Sequence, residues 1–121
     1  AMFAAHYKLD NLCIFVDFNG LQIDGPIVDV IDPTPLDKKF EAFNWNVVTA
    51  DAHDFDSIEA AVEAAKACKG KPTCLILNTV KGKGATFAEP SGAHSSQPTK
   101  EQWDEAIAAS EAALAAVKNE K

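Results

Sequence analysis

The chain has 121 residues, of which 18 are acidic and 11 basic, so its formal net charge is −7, and 47% of its residues are hydrophobic. This length and composition predict one folded domain with a modest core. The acidic balance argues against a nucleic-acid partner and against anionic membranes, and no apolar run approaches a bilayer span. We therefore expect a soluble, cytoplasmic protein with no nucleic-acid or membrane partner.

Residues 11–25 contain the most informative stretch. The apolar run Leu12–Val16 is rich in strand formers and is broken at Asn19-Gly20, which predicts a buried strand that ends in a polar turn. Ligands of open α/β sheets bind beyond the carboxyl ends of strands, and Asp17, Asn19 and Asp24 place oxygen atoms there. Such oxygens suit a hard cation like Mg²⁺, although an Asn-Gly pair after a strand is also typical of a simple turn.

The string VDFNGLQIDG at residues 16–25 resembles the end of the thiamine diphosphate motif of transketolases. The resemblance implies that Asn19 binds Mg²⁺ through its side-chain oxygen, that Leu21 binds it through its backbone carbonyl, and that Ile23 packs on the thiazolium ring. The Gly-Asp-Gly that opens the family motif is not in this sequence, and residues 1–8 are typical of a helix already under way. We therefore expect a piece of a larger protein.

The next elements are predicted from turn and helix signals. Residues Pro26–Asp32 lie between prolines and predict an ordered loop with room for a short strand. Thr34 is the expected N-cap of a helix over Pro35–Phe43, with proline at the first helical position. The β-branched segment Trp45–Ala50 predicts the second strand.

Acidic residues and a histidine follow that strand in the segment Asp51–Asp54. Such a cluster can hold a metal, but a single histidine among aspartates on a connection is more typical of turn chemistry. Transketolases often carry a similar phrase as a strand-to-helix connection away from the catalytic centre. We therefore interpret the segment as structural.

A helix and a third strand complete the core prediction. Asp56 is the expected N-cap of a helix whose apolar face runs from Ile58 to Cys68 and which ends at Gly70. The continuous apolar run Thr73–Val80 predicts a strand covered on both faces. Strands that alternate with helices imply right-handed βαβ units, so the predicted fold class is α/β, part of a doubly wound parallel sheet.

The three cysteines, Cys13, Cys68 and Cys74, form no CxxC pair. Two of them fall in predicted strands and one on the apolar side of a helix. We expect buried structural thiols and no disulfide.

The loop Val80–Thr86 carries two glycines and two lysines at the end of the third strand. Such a loop can cradle a phosphate with backbone amides and an ammonium group, although glycine-lysine loops are also common on surfaces. Its sequence TVKGKG resembles an active-site loop of transketolases. The resemblance implies that Lys81 enters the active site and contacts the cofactor, whereas Lys83 does not.

The polar segment Phe87–Gln97 predicts a long loop that contains His94. By default this histidine is solvated. The transketolase resemblance implies instead that it contacts the cofactor diphosphate and assists proton transfer, although the family's tryptophan and glycine neighbours are replaced by Ala93 and Ser95. Thr99 then opens a capping box, TKEQ, for an alanine-rich final helix.

The resemblance covers residues 1–121 and implies the C-terminal part of a transketolase N-terminal domain, which binds thiamine diphosphate. The implied reaction moves a two-carbon ketol unit between sugar phosphates with thiamine diphosphate and Mg²⁺, within the pentose phosphate pathway. The implied partner is a pyrimidine-binding domain or subunit, in a dimer or heterotetramer, and the 121 residues alone are expected to be inactive. The alternatives are a non-catalytic binding domain of the same fold, dihydroxyacetone synthase and deoxyxylulose-phosphate synthase.

Overall fold

The computed structural model describes residues 1–89 and 97–119, which form five helices and five strands. The strands are β1 (Cys13–Phe18), β2 (Leu21–Gln22), β3 (Gly25–Pro26), β4 (Asn46–Asp51) and β5 (Thr73–Asn78). The helices are α1 (Met2–His6), α2 (Ile27–Val30), α3 (Leu36–Ala42), α4 (Phe55–Ala67) and α5 (Lys100–Asn119).

The three longer strands form one parallel sheet in the order β1-β5-β4. Cys13 of β1 and Asn46 of β4 both lie beside Thr73 of β5, so the three strands begin at the same level. The central strand is buried from Thr73 to Ile76, which explains its uninterrupted apolar sequence. The predicted parallel sheet is confirmed.

Helices cover both faces of this sheet. On one face, α1 and α3 enclose a cluster whose buried members are Ala4, Trp45, Cys74 and Ile76. On the other face, Ala61 and Ala65 of α4 pack against Ala50 of β4 and Leu75 of β5. The chain crosses from β1 to β4 by way of α3, then returns to β5 by way of α4 on the opposite face. The second crossover runs in the opposite direction and over the opposite face, so both crossovers have the same hand. The predicted α/β class is confirmed.

Two helix starts differ from the sequence prediction. Pro35, not Thr34, is the N-cap of α3, because the Thr34 hydroxyl and N–H both donate to the Asp32 carboxylate at 2.7 and 2.8 Å. Asp54, not Asp56, caps α4, because the Asp54 carboxylate accepts the Asp56 N–H at 3.1 Å. In both cases an aspartate forms a local turn with the residue two positions later.

Two further predictions need correction. Residues 26–32 are not simply a loop, since Ile27–Val30 forms the helical turn α2 directly after β3. Strand β1 is only partly buried, and the Phe15 side chain is 61% exposed. Within the described residues β1 lies at the edge of the sheet, and α4 packs over β4 and β5, so little covers Phe15.

The predicted capping box of α5 is confirmed. The Gln102 N–H donates to the Thr99 hydroxyl at 3.3 Å, and the Thr99 N–H donates to the Gln102 side-chain oxygen at 2.9 Å. The apolar stripe of α5 is half exposed, and Trp103 meets Phe87 edge to face at 5.8 Å. In the part of the chain that the structure describes, no helix combines the length and apolarity needed to cross a membrane.

All three cysteines are free thiols. Cys74 is fully buried in β5, and this burial raises the pKa of its thiol to about 11, with a smaller contribution from Cys13. Burial also raises the pKa of the Cys13 thiol. Both groups are therefore protonated and unreactive near neutral pH, as structural thiols are.

Leu75→Ala should lower the free energy of unfolding by about 2–5 kcal/mol, because the Leu75 side chain is 1% exposed and its removal leaves a cavity against α4. Leu114→Ala is the matched control, since Leu114 is 54% exposed on α5 and should change stability by about 0.5 kcal/mol or less. Urea denaturation followed by circular dichroism measures both. Equal losses would contradict this assignment of the core.

Candidate functional site

Three connections leave the sheet at the same edge. Phe18, Asn78 and Asp51 are neighbours at the carboxyl ends of β1, β5 and β4. The ladder continues one step further, since the Ala52 N–H donates to the Asn78 carbonyl at 3.0 Å and the Thr79 N–H to the Phe18 carbonyl at 3.4 Å. The turn that begins at Asn19 and the loop that carries Lys81 therefore emerge side by side, where open α/β sheets bind their ligands.

The turn after β1 is organised by the Asn19 side chain. Its oxygen accepts the Leu21 N–H at 2.9 Å, and Gly20 between them has φ +73°, which glycine adopts without strain. The chain then forms the hairpin β2–β3, in which Leu21 lies opposite Pro26. The Ile27 N–H donates to the Gly20 carbonyl at 3.0 Å and closes the hairpin.

The direction of the Leu21 carbonyl follows from this register. Hydrogen-bonded and non-bonded pairs alternate along an antiparallel ladder. Because Gly20 is bonded to Ile27, the next pair, Leu21 and Pro26, is a non-bonded one. The N–H and carbonyl of Leu21 thus both point away from β3, toward the side where its N–H meets the Asn19 oxygen.

This pair of oxygens fits part of a Mg²⁺ shell. The Asn19 side-chain oxygen keeps a second lone pair, and the Leu21 carbonyl lies on the same side of the hairpin. Mg²⁺ takes about six oxygen ligands and usually shares its shell with water and substrate phosphates. Residues 1–89 and 97–119 hold no group of three or more histidine, cysteine or acidic side chains that could bind a metal. The remaining ligands would thus come from a phosphate group, from water or from another part of the protein.

Ile23 lies at the tip of the same hairpin. Its side chain is 72% exposed, and several other large apolar side chains of the chain are similarly exposed. It is accessible to a ligand, and its packing on the thiazolium ring, which the resemblance implies, stays a prediction.

The loop after β5 consists of consecutive turns. The N–H of Lys83 donates to the Val80 carbonyl at 3.1 Å, that of Gly84 to the Glu89 carboxylate at 2.8 Å, and that of Ala85 to the Gly82 carbonyl at 2.9 Å. These amides are already used within the loop. Of the two alternatives that the sequence left open, a phosphate cradle of backbone amides thus gains no support from these three groups, and the Lys81 ammonium remains as the candidate ligand.

The two lysines of this loop differ in their surroundings. Lys81 is half-buried, and Lys83 is exposed. The ion pairs found in the described ranges involve Lys38, Lys66 and Lys100, so neither loop lysine has an acidic partner there. An ammonium group at the sheet edge without a carboxylate partner suits an anionic ligand.

His94, the other predicted catalytic and cofactor-binding residue, lies outside the described residues. Its role therefore remains a prediction.

Two contacts at this edge were not predicted from the sequence. His53 Nε2 accepts the Val80 N–H at 2.8 Å, and the Thr79 hydroxyl donates to the Asp17 carboxylate. Both contacts join residues that are far apart in the chain. Only the strand order, with β5 between β1 and β4, brings them together.

Two clefts flank the sheet at opposite ends. A cleft of about 280 Å³ opens at the carboxyl edge, between Phe18, Leu36, Thr49 and Asn78. A cleft of about 300 Å³ lies near the amino end of β1, beside Phe15. Neither cleft is lined by Asn19 or Lys81, so we place the candidate site at the carboxyl edge on the chemistry of its residues and not on cleft volume.

The family model described as the transketolase thiamine diphosphate binding domain matches residues 1–118. The chain therefore belongs to the transketolase family, in its thiamine diphosphate-binding domain. The sequence-based assignment to this family is confirmed.

Curated relatives agree with this assignment. The chain is 45% identical over 109 residues to a 6-deoxy-6-sulfo-D-fructose transketolase subunit of Clostridium sp. (strain MSTE9), which covers 89% of this chain and 40% of the relative. It is 44% identical over 89 residues to an apulose-4-phosphate transketolase subunit of Actinobacillus succinogenes, covering 74% of this chain and 32% of the relative. The chain thus spans less than half the length of these relatives.

Solved transketolases share the fold. The structure from Campylobacter jejuni superimposes with a TM-score of 0.69 at 32% identity, over 74% of this chain and 14% of that one. The Pichia stipitis enzyme in complex with sedoheptulose 7-phosphate gives a TM-score of 0.65 at 34% identity, over 69% of this chain and 13% of that one.

Gly82→Ala should disorder the Lys81 loop. Gly82 has φ +76°, and an added Cβ would lie 2.6 Å from the Ala88 Cβ and 2.9 Å from its carbonyl carbon. Gly84→Ala is the matched control, because Gly84 has φ +90° but open space around it. Both changes carry the left-handed backbone cost of about 1–2 kcal/mol, and only the first adds a clash. Hydrogen exchange at Lys83 and Ala85 should accelerate more in Gly82→Ala. The opposite order would contradict the loop geometry.

Proposed function

We propose that this chain is the C-terminal part of a transketolase thiamine diphosphate-binding domain, in an enzyme that transfers a two-carbon ketol unit from a ketose to an aldose phosphate with thiamine diphosphate and Mg²⁺. One observation carries the proposal. The parallel pairing of β1 with β5 starts the Asn19 turn and the loop that carries Lys81 at the same edge of the sheet, which supports a shared site there.

Each of these residues has a separate task in the proposed site. The Asn19 side-chain oxygen and the Leu21 carbonyl bind Mg²⁺, and Lys81 offsets the negative charge of the cofactor diphosphate or of a phosphorylated sugar. Ile23 packs against the thiazolium ring and excludes water from it. When bound, thiamine diphosphate supplies the carbon nucleophile and the electron sink for carbon–carbon bond cleavage.

His94 completes the proposed site on the strength of the family resemblance alone. We propose that it donates a hydrogen bond to the diphosphate and assists proton transfer at a sugar hydroxyl. Its neighbours Ala93 and Ser95 differ from those in the family phrase.

The relatives support a proposal on substrate and assembly. Two of them are named as subunits, and their names refer to a sulfo-sugar and to a sugar phosphate. We therefore extend the proposed substrate class to sugars that end in a phosphate or a sulfonate. The proposed partner is a pyrimidine-binding subunit or domain, in a dimer or heterotetramer in the cytoplasm. Since that partner shares the active site, the isolated 121 residues should be inactive.

Asn19→Ala should weaken Mg²⁺-dependent cofactor binding in the complete enzyme by at least about tenfold, because it removes one oxygen ligand and the bond that orients Leu21. Asn11→Ala is the control, since Asn11 precedes the opposite end of the same strand. Calorimetric titration with thiamine diphosphate and Mg²⁺ measures both. Unchanged affinity in Asn19→Ala would argue against the metal assignment and for a non-catalytic domain of this fold.

Lys81→Met should raise the apparent dissociation constant for thiamine diphosphate, or the KM for the phosphorylated sugar, by about 10- to 100-fold. This is the effect of losing one charge-assisted hydrogen bond. Lys83→Met should have much less effect, because the Lys83 side chain is exposed and lies outside the proposed site. Steady-state kinetics on the complete enzyme compares them. Equal effects would mean that the loop is merely basic, with no positioned lysine.

A further inference from the structure

His53 forms a contact that its place in the sequence does not explain. It lies between β4 and α4, in the connection that the sequence indicates is a structural turn. Its Nε2 nevertheless accepts the N–H of Val80 at 2.8 Å, at the start of the loop that carries Lys81. An exposed side chain thus reaches across the end of one strand to the backbone that follows the next one.

The backbone around His53 is held in place by its own hydrogen bonds. The His53 N–H donates to the Asp51 carboxylate at 2.9 Å, and the Asp51 N–H donates to the Ser57 hydroxyl at 3.1 Å. The Ala52 N–H is bonded to the end of β5 at 3.0 Å. These bonds fix the point from which the imidazole extends, so the ring is aimed at Val80 by a rigid connection.

The segment Thr79–Val80 is also held from the other side. The Thr79 hydroxyl donates to the carboxylate of Asp17, which is near the end of β1 and two residues before Asn19. The residues that immediately precede Lys81 are therefore tied both to the strand of the Asn19 turn and to the connection after β4. A loop held at its root from two directions has little freedom to move its next side chain.

We propose that His53 is a positioning residue, which fixes the Lys81 loop beside the Asn19 turn by accepting the Val80 N–H. This role rests on the proposed function, in which Lys81 binds the diphosphate or sugar phosphate. His53 acts through Lys81 and touches no ligand itself. The sequence alone favours a purely structural turn at His53, whereas the proposal gives this residue an indirect role in ligand binding.

The contact sets a chemical requirement. An imidazole nitrogen accepts a hydrogen bond only when it is unprotonated, so the neutral ring carries its proton on Nδ1. A glutamine side chain can place an acceptor oxygen near the position of Nε2, whereas phenylalanine keeps the ring shape and offers no acceptor. The pair His53→Gln and His53→Phe therefore separates hydrogen bonding from packing.

The test compares His53→Phe, His53→Gln and the control His6→Phe in the complete enzyme. His6 is an exposed histidine on α1 without a contact to the loop among the described residues. Hydrogen exchange of the peptide that spans residues 79–86 reports loop order. Calorimetry with thiamine diphosphate and Mg²⁺, and steady-state kinetics with a ketose phosphate, report the effect on the site.

His53→Phe should accelerate exchange in this peptide and raise the dissociation constant or KM about fivefold, the effect of one lost neutral hydrogen bond, with a smaller change in kcat. His53→Gln should keep the exchange rate and the dissociation constant or KM close to those of the unaltered enzyme. His6→Phe should change neither the exchange rate nor these constants. Unchanged exchange in His53→Phe would overturn the contact. Faster hydrogen exchange with an unchanged dissociation constant and KM would mean that His53 only stabilises the loop, and would overturn its positioning role.

These outcomes are distinct from failure of the proposed function. If the unaltered enzyme neither binds thiamine diphosphate nor transfers a ketol unit, the proposed function fails and the positioning role fails with it. The exchange data on the three variants still decide whether His53 holds the loop.

Discussion

The parallel pairing of β1 with β5 is the constraint on which the rest of the site depends. A parallel ladder brings the carboxyl ends of both strands to one edge, so the residues that follow them must meet there. In this chain those residues are the Asn19 turn and the Thr79–Lys81 segment, which are separated by about half the sequence. Pairing β4 on the other side of β5 adds His53 to the same edge.

Local hydrogen bonds then determine what the edge can bind. The Asn19 side chain and the alternating pattern of the β2–β3 hairpin direct two hard oxygens to one side. The turns of the Lys81 loop satisfy several of its amides internally, which leaves an ammonium group rather than a backbone cradle. In the proposed site, two oxygens that could bind a cation thus lie at the same edge as a lysine loop, a combination suited to a metal-bound diphosphate.

The amino-acid sequence contains enough information for most of the fold. The apolar run of β5 and the alternation of strands and helices predict a parallel sheet, and the TKEQ box predicts the start of α5. The predicted helix starts are wrong where a neighbouring aspartate forms the local bond instead: Asp32 engages Thr34, and Asp54 takes the cap predicted for Asp56. The exposure of Phe15 follows from the edge position of β1, which sequence periodicity does not reveal.

The candidate site was predictable where a short motif carries it and not where it depends on strand order. Asn19, Leu21 and Ile23 lie within ten residues, so their local geometry is encoded in one hairpin. The partnership of His53 with Val80 requires β4 and β5 to be neighbours, and no local pattern specifies this. The same is true of Asp17 and Thr79.

The proposed site is tested most directly by a crystal structure of the complete enzyme with thiamine diphosphate and Mn²⁺, which replaces Mg²⁺ and is located by its anomalous scattering. We expect a single Mn²⁺ about 2.0–2.2 Å from the Asn19 side-chain oxygen and the Leu21 carbonyl, near the range for oxygen ligands of Mg²⁺. We also expect the Lys81 ammonium within hydrogen-bond distance of a phosphate oxygen. An ion held elsewhere, with both of these oxygens uncoordinated, would contradict the proposed site.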